Sequence, residues 1–200
     1  MKLLSPTSLR ATGVAALALA TTAAQAHTGH GTSSLLEGLS HPFGLDHLLA
    51  MVAVGVWSVR ALPAQQTWRG PATFLLALVA SAALGSMGVS VPFLEQLVAL
   101  SVVLFGAMLV FSSRRLPTSL GLGLVAVAAA LHGLAHGAEA PASGFASYAL
   151  GFVATTAALH CGGVVAGLGI RQFLARKATW AMAGLGTLCS AGGLYLFSQI

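Results

Sequence analysis

Six long apolar runs occupy most of this 200-residue sequence, and they constrain its fold more than any other feature. They cover residues 45–59, with an extension outward toward residue 35, and residues 71–89, 94–111, 116–136, 143–170 and 179–197. A helix needs about 20 predominantly apolar residues to cross the hydrocarbon core of a bilayer. Only 6% of the residues are charged, against roughly a quarter in soluble domains. We therefore predict an all-α, polytopic membrane protein that is a bundle of six transmembrane helices.

The first 26 residues have the layout of a secretory signal peptide. Lys2 and Arg10 form a basic front, an Ala/Thr-rich apolar stretch follows, and an Ala-Gln-Ala end has the small-x-small pattern that signal peptidase accepts. An uncleaved first helix is the alternative, but this apolar stretch is short for a membrane span. We predict cleavage after Ala26, which makes residues 1–26 the signal peptide and residues 27–200 the six-helix transmembrane domain.

The seven basic residues beyond the leader indicate how the chain crosses the membrane. They are Arg60, Arg69, Arg114, Arg115, Arg171, Arg176 and Lys177. If the mature N-terminus is outside, all seven fall in inward loops and none in the outward connections. Cytoplasmic loops are enriched in Lys and Arg, so this orientation satisfies every loop. We predict a multi-pass protein of the bacterial inner membrane with both mature termini in the periplasm. Because the basic residues are scattered between apolar runs, we expect no nucleic-acid binding.

Glycines recur in close pairs within the spans, as in Gly162-Gly163 and Gly184-x-Gly186. In lipid no hydrophobic force draws helices together, and small residues allow the close backbone approach that packing there requires. We interpret these glycines as helix-packing surfaces.

Ionisable residues gather in the outer halves of the first and fourth spans. At a rise of about 1.5 Å per residue from the basic inner ends, both sets lie between the membrane centre and the periplasmic surface. Those of the fourth span fall at i, i+4 and i+7, which is one stripe of a helix. Each ionisable group in hydrocarbon costs a few kcal/mol, so six in one zone indicate a ligand site rather than isolated hydrogen bonds. The six are His41, Asp46, His47, His132, His136 and Glu139.

The mixture of imidazoles and carboxylates predicts the class of ion. This ligand set suits a borderline divalent ion such as Ni²⁺, Co²⁺ or Zn²⁺, whereas Mg²⁺ and Ca²⁺ favour oxygen ligands and Cu⁺ favours thiolates or thioethers. We expect the negative charge of Asp46 to offset the hydration that the ion loses, with Asp46 binding it alongside the histidines. Pro42 and Gly44 interrupt the segment beside His41 and predict an unwound entrance.

Three further histidines are candidates. His160 lies near the middle of the fifth span, beside Cys161, and we predict that it lines the inward path. Cleavage after Ala26 would leave His27 as the first residue, with an amine and an imidazole that form a bidentate chelate, and His30 follows closely. A disordered terminus with incidental histidines is the alternative reading, and the sequence leaves both open.

Two of these segments resemble a known family. HPFGLDHLLAMVAVGVW (residues 41–57) and HGLAHGAEAP (residues 132–141) are similar to the histidine motifs of the HupE/UreJ family. With the leader, the six mature spans and the LHCGG segment of the fifth span, the resemblance extends over essentially the whole chain. Members of this family are described as secondary nickel permeases, some of them for cobalt, associated with metal supply to hydrogenase or urease. The resemblance implies metal-binding roles for His41, Asp46, His47, His132, His136 and Glu139, with His160 in a third motif.

The residues and the resemblance together predict a permease, not an enzyme, that takes up Ni²⁺ or Co²⁺ from periplasm to cytoplasm. The ion is its substrate, and no permanently bound cofactor is expected. Expected partners are the metal ion, the lipid bilayer and, as a candidate recipient, the maturation machinery of nickel enzymes. An intramembrane metal-dependent enzyme with Glu139 as general base is one alternative. A haem-binding electron carrier with histidine axial ligands is another.

Overall fold

The computed structural model describes residues 34–112, 116–141 and 143–200, which contain helices and no strands. The helices are α1 (Ser34–Ser40), α2 (Leu45–Ala61), α3 (Arg69–Ser86), α4 (Leu94–Val110), α5 (Thr118–Glu139), α6 (Phe145–Phe173) and α7 (Ala178–Phe197). Short 3-10 turns cover His41–Phe43, Ala64–Gln66 and Ala175–Lys177. The predicted signal peptide, His27, His30, Arg114 and Arg115 lie outside the described residues.

Four helical segments of this described part are long and apolar enough to cross a membrane: Ala64–Ser86, Thr118–Glu139, Phe145–Phe173 and Ala175–Phe197. The two helical segments Ser34–Phe43 and Leu45–Ala61 are together long and apolar enough to form one span, but they meet at a bend of 68°. Helix α4 is apolar but has only 17 residues, about 26 Å of helix against a hydrocarbon core of about 30 Å. The described residues thus give four or five candidate spans where the sequence predicted six.

Large apolar side chains cover the outside of the bundle. Leu76, Phe173 and Trp180 are all strongly exposed, on three different helices. Soluble monomers rarely expose such extensive apolar surface, whereas a bilayer requires it. The chain is therefore a multi-pass helical membrane protein.

The bend between α1 and α2 arises at Pro42 and Gly44, as the sequence predicted. Proline lacks a backbone N–H and cannot continue a regular helix, and here Pro42 lies in a 3-10 turn. Gly44 leaves the helical conformation, with φ −52° and ψ 142°. Thr155 of α6 donates its hydroxyl to the carbonyl of Leu39, at 2.9 Å. A carbonyl at the end of α1 is thus satisfied inside the protein, as a broken helix at membrane depth requires.

Three pairs of helices pack through glycines that have no room for a side chain. In every pair, a Cβ built on the glycine would meet backbone atoms of the partner helix. The glycines are Gly55 and Gly163 between α2 and α6, Gly133 and Gly137 between α5 and α3, and Gly106 and Gly186 between α4 and α7. Helix α2 lies at the centre, since Ala50, Met51, Val54 and Val56 are all almost completely buried. Within this bundle the start of α2 approaches the end of α5, where His47 contacts His132 and His136.

A pair of adjacent glycines tests this packing. A Cβ at Gly163 would lie 2.5 Å from the carbonyl oxygen of Val52, whereas a Cβ at Gly162 would meet nothing within 4 Å. We expect Gly163→Ala to destabilise the protein by about 1–3 kcal/mol, because forced overpacking costs roughly this much. Gly162→Ala is its matched control and should stay within about 0.5 kcal/mol of the parent. Thermal unfolding in detergent measures both, and equal effects of the two substitutions would contradict this packing.

Candidate metal site

The first turn of α2 and the last turns of α5 bring three histidines together. The Nε2 atom of His47 lies 3.2 Å from Nδ1 of His132 and also contacts Nε2 of His136. The three residues are 2%, 0% and 7% exposed, respectively. One potential ligand atom from each lies within 4.8 Å of the other two. Three imidazoles from two helices therefore converge on one buried point.

The spacing of these nitrogens suits a shared metal ion. Two ligands of a tetrahedral ion held at about 2.1 Å lie roughly 3.4 Å from each other. The 3.2 Å between His47 and His132 is close to that spacing. Imidazole nitrogen is a ligand that nickel, cobalt and zinc all accept. The predicted stripe of His132 and His136 thus meets His47 in a geometry that a late first-row metal can occupy.

Asp46 lies behind His47 rather than among the converging nitrogens. Its Oδ1 atom is 3.0 Å from Nδ1 of His47. A neutral imidazole carries one N–H and one lone pair, and an ionised carboxylate only accepts hydrogen bonds. Nδ1 therefore carries the proton, and Nε2 turns its lone pair toward the other histidines. The sequence predicted Asp46 as a metal ligand. In the structure its Oδ1 contacts Nδ1 of His47, a position from which the carboxylate can orient this imidazole.

Ser101 of α4 orients His132 in the way that Asp46 orients His47. The sequence analysis did not identify Ser101. Its hydroxyl donates to the carbonyl of Val98, at 2.6 Å, and also lies 2.8 Å from Nε2 of His132. Because the single hydroxyl proton is already donated, the hydroxyl oxygen accepts from the Nε2–H of His132. Nδ1 of His132 is then left with its lone pair, and that is the atom facing His47.

A second group of potential ligands lies at the outer edge of the first. Oε2 of Glu139 is 3.6 Å from Nε2 of His41 and 3.5 Å from Nδ1 of His136. The side chain of Glu139 is 61% exposed and that of His41 22%. One potential ligand atom from each of these three residues lies within 4.8 Å of the other two, so the three could hold one ion together. His136 belongs to both groups, and it is the only residue they share among the described residues.

Aromatic side chains of α6 wall the site on one side. The ring centroid of Phe152 lies 4.9 Å from that of His136, 5.8 Å from that of His41 and 6.1 Å from that of His47. Tyr148 packs 5.9 Å from His41 in the same way. Both aromatic residues are buried. Such a wall keeps water from one face of the imidazoles, which strengthens electrostatic interactions within the site.

His160 of α6 lies apart from both groups. Its Nδ1–H donates to the carbonyl of Thr156, at 2.8 Å, and its buried Nε2 has no hydrogen-bond partner. The Phe74 ring packs against both imidazoles, with centroids 4.8 Å from His160 and 5.9 Å from His132. His160 therefore presents a free ring nitrogen on the far side of a buried aromatic ring.

Removing the Ser101 hydroxyl tests whether it positions His132. We expect Ser101→Ala to weaken Co²⁺ binding by about 10- to 100-fold, the usual cost of losing an outer-shell partner of a ligating histidine. Ser190→Ala is the matched control, because that hydroxyl donates to a backbone carbonyl of α4, at 3.2 Å, away from the histidines. Titration of the purified protein with Co²⁺ measures both affinities. Equal affinities in the two variants would show that Ser101 has no positioning role.

Comparisons with known proteins agree with these motifs. A family model described as HupE / UreJ protein matches residues 15–196. The chain is 37% identical over 189 residues to Protein HupE of Rhizobium leguminosarum bv. viciae. This alignment covers 92% of the chain and 95% of the relative. No solved structure matches.

Proposed function

The chain belongs to the HupE/UreJ family, and we propose that it is a secondary transporter for uptake of a divalent transition metal, Ni²⁺ first and Co²⁺ second. The observation that carries this proposal is the convergence of His47, His132 and His136 on one buried point inside a multi-pass bundle. Ionisable groups within membrane spans are costly and mark ion pathways. A partly dehydrated metal ion gives three adjacent imidazole nitrogens a common partner.

The gradient of exposure favours a transported ion over a resident one. Glu139 is exposed at the mouth, His41 is partly buried, and the three central histidines are buried. His160 then offers a further ring nitrogen beyond Phe74. An ion entering from outside would exchange water for carboxylate and imidazole ligands in steps, and would use His160 as a looser second position. We therefore regard the ion as substrate and propose neither an enzymatic reaction nor a permanently bound cofactor.

The distribution of charge supports inward transport. Arg60 lies in the last turn of α2, at the opposite end of this helix from His47. Arg171 lies beyond Gly167, which packs against Val59, so it belongs to the same end. Basic residues are enriched on the cytoplasmic side of membrane proteins. The histidine end would then face the periplasm of a bacterial inner membrane, both mature termini would be periplasmic, and a nickel-enzyme maturation protein is the candidate recipient.

Uptake by the purified protein in proteoliposomes tests the function. We expect the vesicles to accumulate ⁶³Ni. The assay is repeated with Co²⁺ or Zn²⁺ as competitor, and with and without a pH gradient. Protein-free vesicles are the control. Absence of accumulation under all these conditions would contradict the proposal. A Soret band in the visible spectrum of the protein would favour a haem-binding electron carrier instead.

His27 provides a separate prediction about the mature N-terminus. If processing after Ala26 survives the change, we expect His27→Ala to reduce uptake mainly at low metal concentration, because a terminal chelate would collect scarce ions. At saturating metal the rate should match that of the parent. Dose curves that coincide over the whole range would remove the chelate from the mechanism.

A further inference from the structure

The two ligand groups use different nitrogens of His136. Its Nε2 atom contacts Nε2 of His47 in the buried group, whereas its Nδ1 atom faces Oε2 of Glu139, at 3.5 Å. The imidazole ring of His136 therefore stands between an outer position, formed by His41, His136 and Glu139, and an inner position, formed by His47, His132 and His136. Nδ1 of His136 is buried and has no hydrogen-bond partner.

A neutral imidazole has one lone pair, so it binds a metal ion through only one of its nitrogens at a time. Filling both positions together would require His136 to lose its remaining ring proton and to hold two dications on one ring. The repulsion between two such charges across a single ring would be large in this buried setting. Occupancy of the outer position therefore excludes occupancy of the inner one.

We propose that His136 is a relay that passes a single ion between two mutually exclusive positions. This inference rests on the proposed transport function. The ion first meets the exposed carboxylate of Glu139 together with His41, and binds Nδ1 of His136. It then moves past the ring edge to Nε2 of His136, where His47 and His132 replace the outer ligands. A proton moves between the two nitrogens of His136 as the ion changes sides, so no proton is gained or lost overall.

Counting bound Co²⁺ on the purified full chain tests mutual exclusion. The outer position is weakened by Glu139→Gln, the inner one by His132→Gln, and both by His136→Ala. At saturating Co²⁺ we expect Glu139→Gln and His132→Gln to bind as many ions as the parent, and His136→Ala to bind one fewer. Any ion held by the N-terminal histidines cancels in these differences. Two independent positions would instead lose one ion in each single-position variant and two in His136→Ala, which would overturn the relay.

The visible spectrum of bound Co²⁺ reports which position is filled. We expect Glu139→Gln to keep the parent spectrum, because its ion remains in the all-imidazole inner position, and His132→Gln to shift it, because a carboxylate oxygen becomes a ligand. Spectra unchanged in both variants would contradict the assignment. Glu37→Gln is the matched carboxylate control, since Glu37 lies on α1 outside both groups.

Uptake measured on the same variants separates the relay from the function on which it rests. Glu139→Gln should raise the KM for uptake by a larger factor than it changes the maximal rate, because capture from the outside is the step that it weakens most. The relay alone would be overturned if the parent protein transports the metal but the variants lose ions in the pattern expected for two independent positions. Parent protein that neither binds nor transports Co²⁺ or Ni²⁺ would overturn the proposed function itself.

Discussion

Asp46→Asn is expected to abolish metal uptake while the protein remains folded in the membrane. The carboxylate of Asp46 holds the proton of His47 on Nδ1, so that Nε2 keeps its lone pair toward His132 and His136. An asparagine amide can donate to Nδ1 instead, which places the proton on Nε2 and removes that lone pair from the cluster. The same substitution behind the histidine of a serine protease lowers turnover about 10⁴-fold by favouring the wrong tautomer.

Uptake of ⁶³Ni into proteoliposomes measures this effect, and the amount of protein in the vesicles is determined in parallel. Glu37→Gln is the matched control, since it also neutralises a carboxylate near the histidine end of the bundle, and it should transport at the parent rate. Normal accumulation by Asp46→Asn would show that the orientation of His47 does not depend on this charge.

His47→Ala is the second substitution with a large expected effect, and it should remove both binding and transport. His47 is the histidine whose nitrogen contacts both other members of the inner position. Its loss leaves two of three buried ligands, and we expect Co²⁺ affinity to fall by more than the 10- to 100-fold typical of an outer-shell change. Equilibrium binding and ⁶³Ni uptake are measured on the same preparation.

His160→Ala is the comparison that gives this result its meaning. His160 is as deeply buried as His47 but lies in neither ligand group. We expect this variant to bind Co²⁺ with parental affinity but to transport it more slowly, because only the inward step is affected. Parental affinity in His47→Ala, or equal losses of affinity in the two variants, would contradict the division of the pathway into a central site and a later position.

Much of the candidate site follows from local sequence spacing. His132, His136 and Glu139 share one helical stripe because 3.6 residues make a turn, and the structure keeps all three on α5 facing the same region. The break at Pro42 and Gly44 also follows from local backbone chemistry. Such features depend only on neighbours along the chain, so the sequence contains them directly.

The remaining parts depend on which helices meet in space. Ser101 and Phe152 look like ordinary members of apolar runs, and their roles arise only because α4 and α6 pack beside the histidines. The position of Asp46 behind His47 depends on side-chain direction at a helix start, which spacing alone does not give. Helix α4 was predicted over residues 94–111 and the structure places it at Leu94–Val110, so its position was predicted closely. Its 17 residues are nevertheless short for a membrane span, and an apolar run alone does not show whether a helix crosses the whole bilayer.

The close packing of α1 against α6 links the bend at His41 to the aromatic wall of the candidate metal site. A Cβ at Gly38 would overlap the backbone of Tyr148 and touch that of Phe152, and a Cβ at Gly151 would lie 2.5 Å from the carbonyl oxygen of Leu35. The two backbones are therefore in direct contact, with no flexible side chains between them to absorb a displacement. We therefore expect that a tilt of α1 that widens access to His41 would also displace the aromatic rings of α6, so that opening of the outer end and rearrangement of the wall beside the histidines would be one coupled movement.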